Sequence, residues 1–173
     1  MTTLSFENIN WNRTSDSIER AEELFMEGFN CCQSVYAAFA PRFGIPEKTA
    51  LKLCCSLGAG VGRMREVCGA VSGMSLIVSL VNGNTDPKDS DAKEENYQTV
   101  RLLADQFRQK NQTIICRELL GISSAEAAAR PQERTASYYA SRPCPRLVRE
   151  AAVILETYLD QVPAFSPVEV LNV

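Results

Sequence analysis

Seven cysteines and no histidine frame the chemistry open to this 173-residue chain. Without histidine there is no Ser-His or Cys-His catalytic pair, and no His-ligated metal or haem. Sulfur is the reactive element that remains. Four cysteines share one context. Cys31 follows Gly28 and Asn30, and Cys68 follows the glycine-dense stretch Gly58 to Gly62. Cys116 follows the polar run KNQT, and Cys144 stands between Pro143 and Pro145. Each lies where a helix is expected to start. A helix N-terminus presents free N–H groups and a partial positive charge, which stabilise a thiolate and lower its pKa. Arg63 and Arg65 precede Cys68, Arg117 follows Cys116, and Arg142 and Arg146 flank Cys144, adding positive charge nearby. Cys31, Cys68, Cys116 and Cys144 are therefore the candidate catalytic thiols. The same four are the candidate ligands in a metal alternative. Cys54 and Cys55 read as mid-helix core residues, because buried cysteine behaves as a small hydrophobe. Adjacent Cys31 and Cys32 must point in different directions on a helix, one toward a site and one toward the core.

These sulfurs need elements to hold them, and the periodicity is helical throughout. Thr14-Ser15-Asp16 offers caps before SIERAEELFMEGF, where Ile18, Ala21, Leu24, Phe25 and Phe29 recur at helical spacing. Asn30 caps a second helix that Gly44 closes, and Pro46 opens a third that runs on through Cys54 and Cys55. A fourth spans roughly Cys68 to Val81. Asp89 or Asp91 caps a fifth, acidic at its start and basic at its end, as the helix dipole favours. Shorter pieces are expected at Cys116 to Leu120, Ser123 to Ala129 and Gln132 to Ala140, and a long last helix at Pro143 to Gln161. The expected fold is all-α: a compact bundle of about six to eight helices with Gly-rich interhelical turns. An N-terminal extension, 1–13, precedes a single cysteine-rich domain, 14–162, and an irregular tail, 163–173.

Composition narrows the function classes. Apolar residues make up 45% and charged residues 23%, enough for a packed core. A net charge of −3 argues against nucleic acid as a partner. The N-terminus MTTLSFENINWNRT lacks a basic or apolar leader, so a cytoplasmic location with reduced thiols is expected. The uncharged stretch Val67 to Asn84 is too short and polar to span a membrane and reads as a buried helix. Gly58-x-Gly-x-Gly62 fits neither dinucleotide nor P-loop spacing and reads as a tight turn. Asp86, Asp89 and Asp91 lack EF-hand spacing and read as solvated caps. No CxxC is present, so neither thioredoxin chemistry nor a zinc ribbon is indicated.

Four segments, in order, carry a resemblance. EGFNCCQSVYAAFAPRFG holds Cys31, and GAGVGRMREVCGAVSGMSLIV holds Cys68 with Gly69, Ala70 and Gly73. CRELLG holds Cys116 and RPCPRLVREAAVILE holds Cys144. Over most of residues 14 to 160 the chain resembles the redox-active proteins named for the pattern C_GCAxxG_C_C. The resemblance implies a small helical protein whose four motif cysteines carry redox function, often encoded beside transporter genes. This chain differs in having Cys-Cys where many members have Cys-Ala, and in its extra pair Cys54-Cys55. Gly69, Ala70 and Gly73 remove side chains beside the Cys68 sulfur. Another helix, a cofactor or a second thiol can then approach closely, so they are the candidate cofactor-contact residues.

Three readings follow, with thiol–disulfide exchange first. Cys68 is expected to be the most reactive sulfur, resolved by Cys31 or Cys144. The second is an iron–sulfur or other metal cluster on the same four cysteines. The third is a helical module docking on a transporter, with Leu76 to Val81 as an exposed patch. A redox partner protein belongs to the first reading.

Overall fold

A computed structural model describes residues 4–123 and 132–163. They form eight α-helices and no strand beyond one isolated antiparallel bridge, Val67 with Ile115. The expected helical piece from Ser123 to Ala129 falls, beyond Ser123, outside the described residues, as does the tail after Pro163.

Local chemistry sets the helix ends. α1 (Asp16–Met26) is capped by the Ser15 hydroxyl, which accepts from Ile18 N–H, and it buries Ile18, Ala21, Leu24 and Phe25. α2 (Cys31–Phe39) starts from a reciprocal capping box. The Asn30 side chain accepts from Cys32 and Gln33 N–H at 3.1 and 3.0 Å, while Gln33 Oε1 accepts from Asn30 N–H at 3.1 Å. α3 (Glu47–Leu53) follows Pro46. α4 (Gly69–Asn82) and α5 (Ser90–Asn111) come next, α5 capped by the Asp89 carboxylate on Ala92 N–H. The short α6 (Cys116–Leu120) and α7 (Ala136–Ala140) precede α8 (Cys144–Leu159).

α2 is the axis of the bundle. Seven of its nine residues are buried, because it packs on both α1 and α4. α8 covers α1, α4 and α5, and Val148, Ala151, Ala152, Val153, Ile154 and Leu155 are all fully buried. Each fully buried Val, Ile or Leu side chain contributes roughly 1.5–3 kcal/mol of burial. The segment before α1 lies on this bundle: Phe6, Ile9 and Trp11 pack against the core, and Arg13 pairs with Asp160. Ile77 and Val78 are fully buried, and Leu76, Leu80 and Val81 pack against the core. The exposed patch that the transporter-docking reading requires at Leu76 to Val81 is not found, because α4 turns that stretch inward as a buried helix. Among the described residues no helix is long and apolar enough to cross a membrane.

α3 is shorter than expected. Cys54 is its C-cap and Cys55 opens a 3-10 turn to Leu57. The chain bends there because Asn30 Nδ2 donates to the Cys55 carbonyl at 2.9 Å. Cys54 is buried, but Cys55 is exposed, which corrects its expected place in the core.

The glycine stretch is a left-handed turn. Ala59, Gly60, Val61, Gly62 and Arg63 all have φ between 54° and 71°, and Arg65 has 62°. Left-handed backbone costs an L-residue roughly 1–2 kcal/mol, and β-branched Val61 is the least suited of them. Gly60 has no alternative, since a Cβ there would lie 2.6 Å from Glu66 N. The turn delivers Arg65 and Glu66 to the strand-like crossing, where Cys68 N–H donates to Ile114 O at 2.8 Å. Cys116 N–H donates to Glu66 O at 2.6 Å.

Candidate functional site

Four helix starts meet around one cluster of sulfurs. Cys31, Cys116 and Cys144 are the first residues of α2, α6 and α8, and Cys68 is the N-cap of α4. The Val67–Ile115 bridge holds Cys68 and Cys116 side by side in the backbone. Cys68, Cys116 and Cys144 are buried at 4, 7 and 8% exposure, and Cys31 is half-buried. Each thiol lies within electrostatic reach of others in the set, and Cys31 feels all three partners.

The small residues of Cys68-Gly-Ala-x-x-Gly let α2 and α4 touch. A Cβ on Gly69 would lie 3.0 Å from Cys32 N and 3.3 Å from the Cys31 Cβ. A Cβ on Gly73 would lie 2.9 Å from the Val35 Cβ and 3.1 Å from Cys32 O. Ala70 is fully buried beside them. The neighbour that Gly69 and Gly73 admit is therefore α2 itself, and the approach carries Cys31 toward Cys68.

Within the cluster one pair is in direct contact. The Cys31 thiol hydrogen-bonds to Cys144. That bond is the main cause that lowers Cys144 to about 7, against the opposing effect of burial; Arg142, Arg134 and Arg65 add to it. Cys31 moves the other way: its bond to Cys144, burial and the other sulfurs hold it well above the ordinary thiol range. The pair is one thiolate with one proton donor.

The electrostatics correct the expected reactivity of Cys68. The Ala70 and Val71 N–H groups at the helix start favour its thiolate, the helix-end stabilisation anticipated above, yet burial outweighs this and pushes the thiol up to about 12. Cys116 is also raised by burial, although Arg65 Nη1 donates to its sulfur at 3.9 Å. Desolvation disfavours the charged form, and two N–H dipoles do not recover it. Of the four, Cys144 is the thiol whose pKa is lowered.

A second sulfur pair escaped sequence reasoning. Cys32 lies on the far side of the α2 start and its thiol hydrogen-bonds to Cys54, which lowers Cys54 and, with burial, raises Cys32. As a thiol, Cys54 also donates to Ala50 O at 3.0 Å. The signal was present in the adjacent cysteines Cys31 and Cys32, but no spacing rule links Cys32 to Cys54. Arg134 was missed as well. It sits ten residues before Cys144, stacks on Phe25 and Tyr138 at 4.9 and 4.6 Å, and favours the Cys144 thiolate.

The fit of a metal can be tested on this geometry. Among the described residues no three His, Cys, Asp or Glu side chains form a group that could hold a metal ion. Within the tetrad the electrostatics report a thiol–thiol hydrogen bond for Cys31 and Cys144 alone.

Comparison with known proteins agrees with the pattern of cysteines. The family model described as "Putative redox-active protein (C_GCAxxG_C_C)" matches residues 29–158, more than half of the chain. No curated protein and no solved structure matches it.

Proposed function

Because the chain belongs to the C_GCAxxG_C_C family of redox-active proteins, we propose that it performs thiol–disulfide exchange with Cys144 as nucleophile and Cys31 as resolving thiol. The observation that carries this reading is the Cys31–Cys144 contact, in which one thiol is lowered to about 7 and its partner stays protonated. A thiolate near neutrality combines a useful ionised fraction with good nucleophilicity.

The exchange balances in two steps. The Cys144 thiolate attacks one sulfur of a small disulfide, forming a mixed disulfide and expelling one thiolate. Cys31 then loses its proton and attacks the Cys144 sulfur, and the second small thiolate leaves. The protein dithiol is oxidised to a Cys31–Cys144 disulfide by two electrons, and the small disulfide is reduced to two thiols. Cys144 is 8% exposed and Cys31 is the more open member. That cover favours a small oxidant over a folded protein as the direct partner. Cys68 and Cys116 frame the pair, and Arg65 and Arg134 hold the Cys144 charge.

The test is to oxidise the reduced protein with one equivalent of a small disulfide and map the product by peptide mass. A Cys31–Cys144 link, and a persistent mixed disulfide on Cys144 in Cys31→Ser, are expected. A first-formed disulfide that contains neither Cys31 nor Cys144 overturns the assignment.

A further inference from the structure

Beside the sulfur cluster lies an open cleft of about 460 Å³ whose charge is entirely positive. Arg63, Arg65 and Arg134 line it, with Asn30, Gln33 and Tyr138, and no Asp, Glu or Lys is among the lining residues. The polar neighbours are already engaged: Asn30 and Gln33 cap α2 and bind the Cys55 and Leu51 carbonyls. The arginines are only partly engaged: Arg65 Nη1 donates to the Cys116 sulfur at 3.9 Å and Arg134 Nη2 to the Phe29 carbonyl at 3.4 Å. Arg63 Nε, Arg65 Nε and Arg134 Nη1 are buried and have no hydrogen-bond partner, and they are the unpartnered buried side-chain nitrogens and oxygens among the described residues. No carboxylate among those residues forms an ion pair with any of the three. Arg65 is 4% exposed. Burial and the Arg65 and Arg142 charges press Arg63 below its usual range.

Three guanidiniums brought together, Arg65 buried and Arg63 and Arg134 half-buried, each with a buried donor unused, is an unfavourable arrangement for an empty cleft. Guanidinium forks match the oxygens of a carboxylate or phosphoryl group. The left-handed turn at 59–63 is what aims Arg63 and Arg65 inward, against its own backbone preference.

We propose that this cleft binds a small oxyanion, a carboxylate or phosphoryl group on a low-molecular-weight ligand, through Arg63, Arg65 and Arg134. The site stands apart from the thiol reading, since binding requires no sulfur chemistry. It is nonetheless coupled to the thiols, because Arg65 and Arg134 also favour the Cys144 thiolate. A bound anion offsets their charge, so the Cys144 pKa rises when the cleft is filled.

Isothermal titration of the reduced full chain with phosphate and, separately, succinate tests this, at an ionic strength held constant with chloride. One saturable site with a Kd of about 1 mM or tighter is expected for at least one anion, and the anion that binds identifies the group. Arg63→Gln and Arg134→Gln should each weaken binding about tenfold or more. Arg117→Gln should not, because that side chain pairs with Glu66 at 2.8 Å and does not line the cleft. Cys144→Ser should still bind, which separates this result from the fate of the thiol mechanism. No saturable binding of either anion to about 10 mM, or binding unchanged in both Arg63→Gln and Arg134→Gln, overturns the proposal. Arg63→Gln leaves both the buried Arg65 and the Arg134 stack on Phe25 and Tyr138 in place, so that variant keeps the test independent of a substitution that threatens folding.

Discussion

Replacing Cys31 by alanine removes the hydrogen bond that most lowers Cys144. The Cys144 thiol sits at about 7 against an ordinary 9.0, which corresponds to ~3 kcal/mol between its two protonation states. A hydrogen bond to a charged group is worth ~1.5–3 kcal/mol. Its loss in Cys31→Ala therefore raises Cys144 by about one to two pH units, with Arg142, Arg134 and Arg65 retaining the rest. At pH 7 the thiolate fraction falls from about half to roughly 1–10%. Alkylation of Cys144 at pH 7 then slows by about fivefold to fiftyfold. The assay is iodoacetamide modification of the reduced protein from pH 5 to 10, following the Cys144 peptide by mass. The midpoint should move from about 7 in the native chain to roughly 8–9 in the variant. An unchanged midpoint would refute the hydrogen bond as the cause, and faster modification of Cys68 than of Cys144 at pH 7 would refute the electrostatic ranking as a whole.

Three further outcomes follow from the same geometry. Cys68 has a folded pKa raised to about 12, so its contribution is intact below the unfolded value near 9. It is lost as pH rises from there at up to ~1.4 kcal/mol per pH unit. Cys68→Ala should flatten that alkaline loss in urea unfolding curves, and an identical pH slope would count against it. Gly73→Ala places a methyl 2.9 Å from the Val35 Cβ and should cost ~1–3 kcal/mol of stability; an unchanged denaturation midpoint would mean α2 and α4 are not in that contact. Val61→Gly relieves a β-branched residue at φ 58° and should stabilise the chain by about 1 kcal/mol, measured as a higher midpoint, whereas a loss of stability would argue against the left-handed turn.

Much of the scaffold was legible because capping chemistry is local. Ser15, Asn30 and Asp89 cap the helices that their types and positions indicated. The four motif cysteines stand at helix starts for the same reason. The order of reactivity was not legible. Arg63 and Arg65 precede Cys68 in sequence, but the Arg65 guanidinium reaches Cys116, and burial decides the state of Cys68. Desolvation depends on the whole packed fold, which no window of residues reports. Cys55 was misplaced because the end of α3 is set by Asn30, a side chain 25 positions earlier. Arg134 carries no motif and gains its role only when α7 is laid against α1, with Tyr139 donating to the Phe25 and Met26 carbonyls at 3.2 and 3.1 Å. The cleft was read only as a tight turn, since its charge gathers from separate stretches of chain.

The first turn of α2 faces two ways. Successive side chains on a helix diverge by about 100°, so Cys31 meets Cys144 while Cys32 meets Cys54 on the other side. While α2 stays wound, neither sulfur can trade partners with the other. A disulfide formed on one side cannot pass directly from Cys31 to Cys32, although the two atoms belong to neighbouring residues. The helix thus acts as an insulator between two stores of electrons, two on each side. On the proposed exchange reading, the wound helix favours the Cys31–Cys144 connectivity over a Cys32 alternative, and loosening the Asn30–Gln33 capping box is the event that would let the two pairs mix.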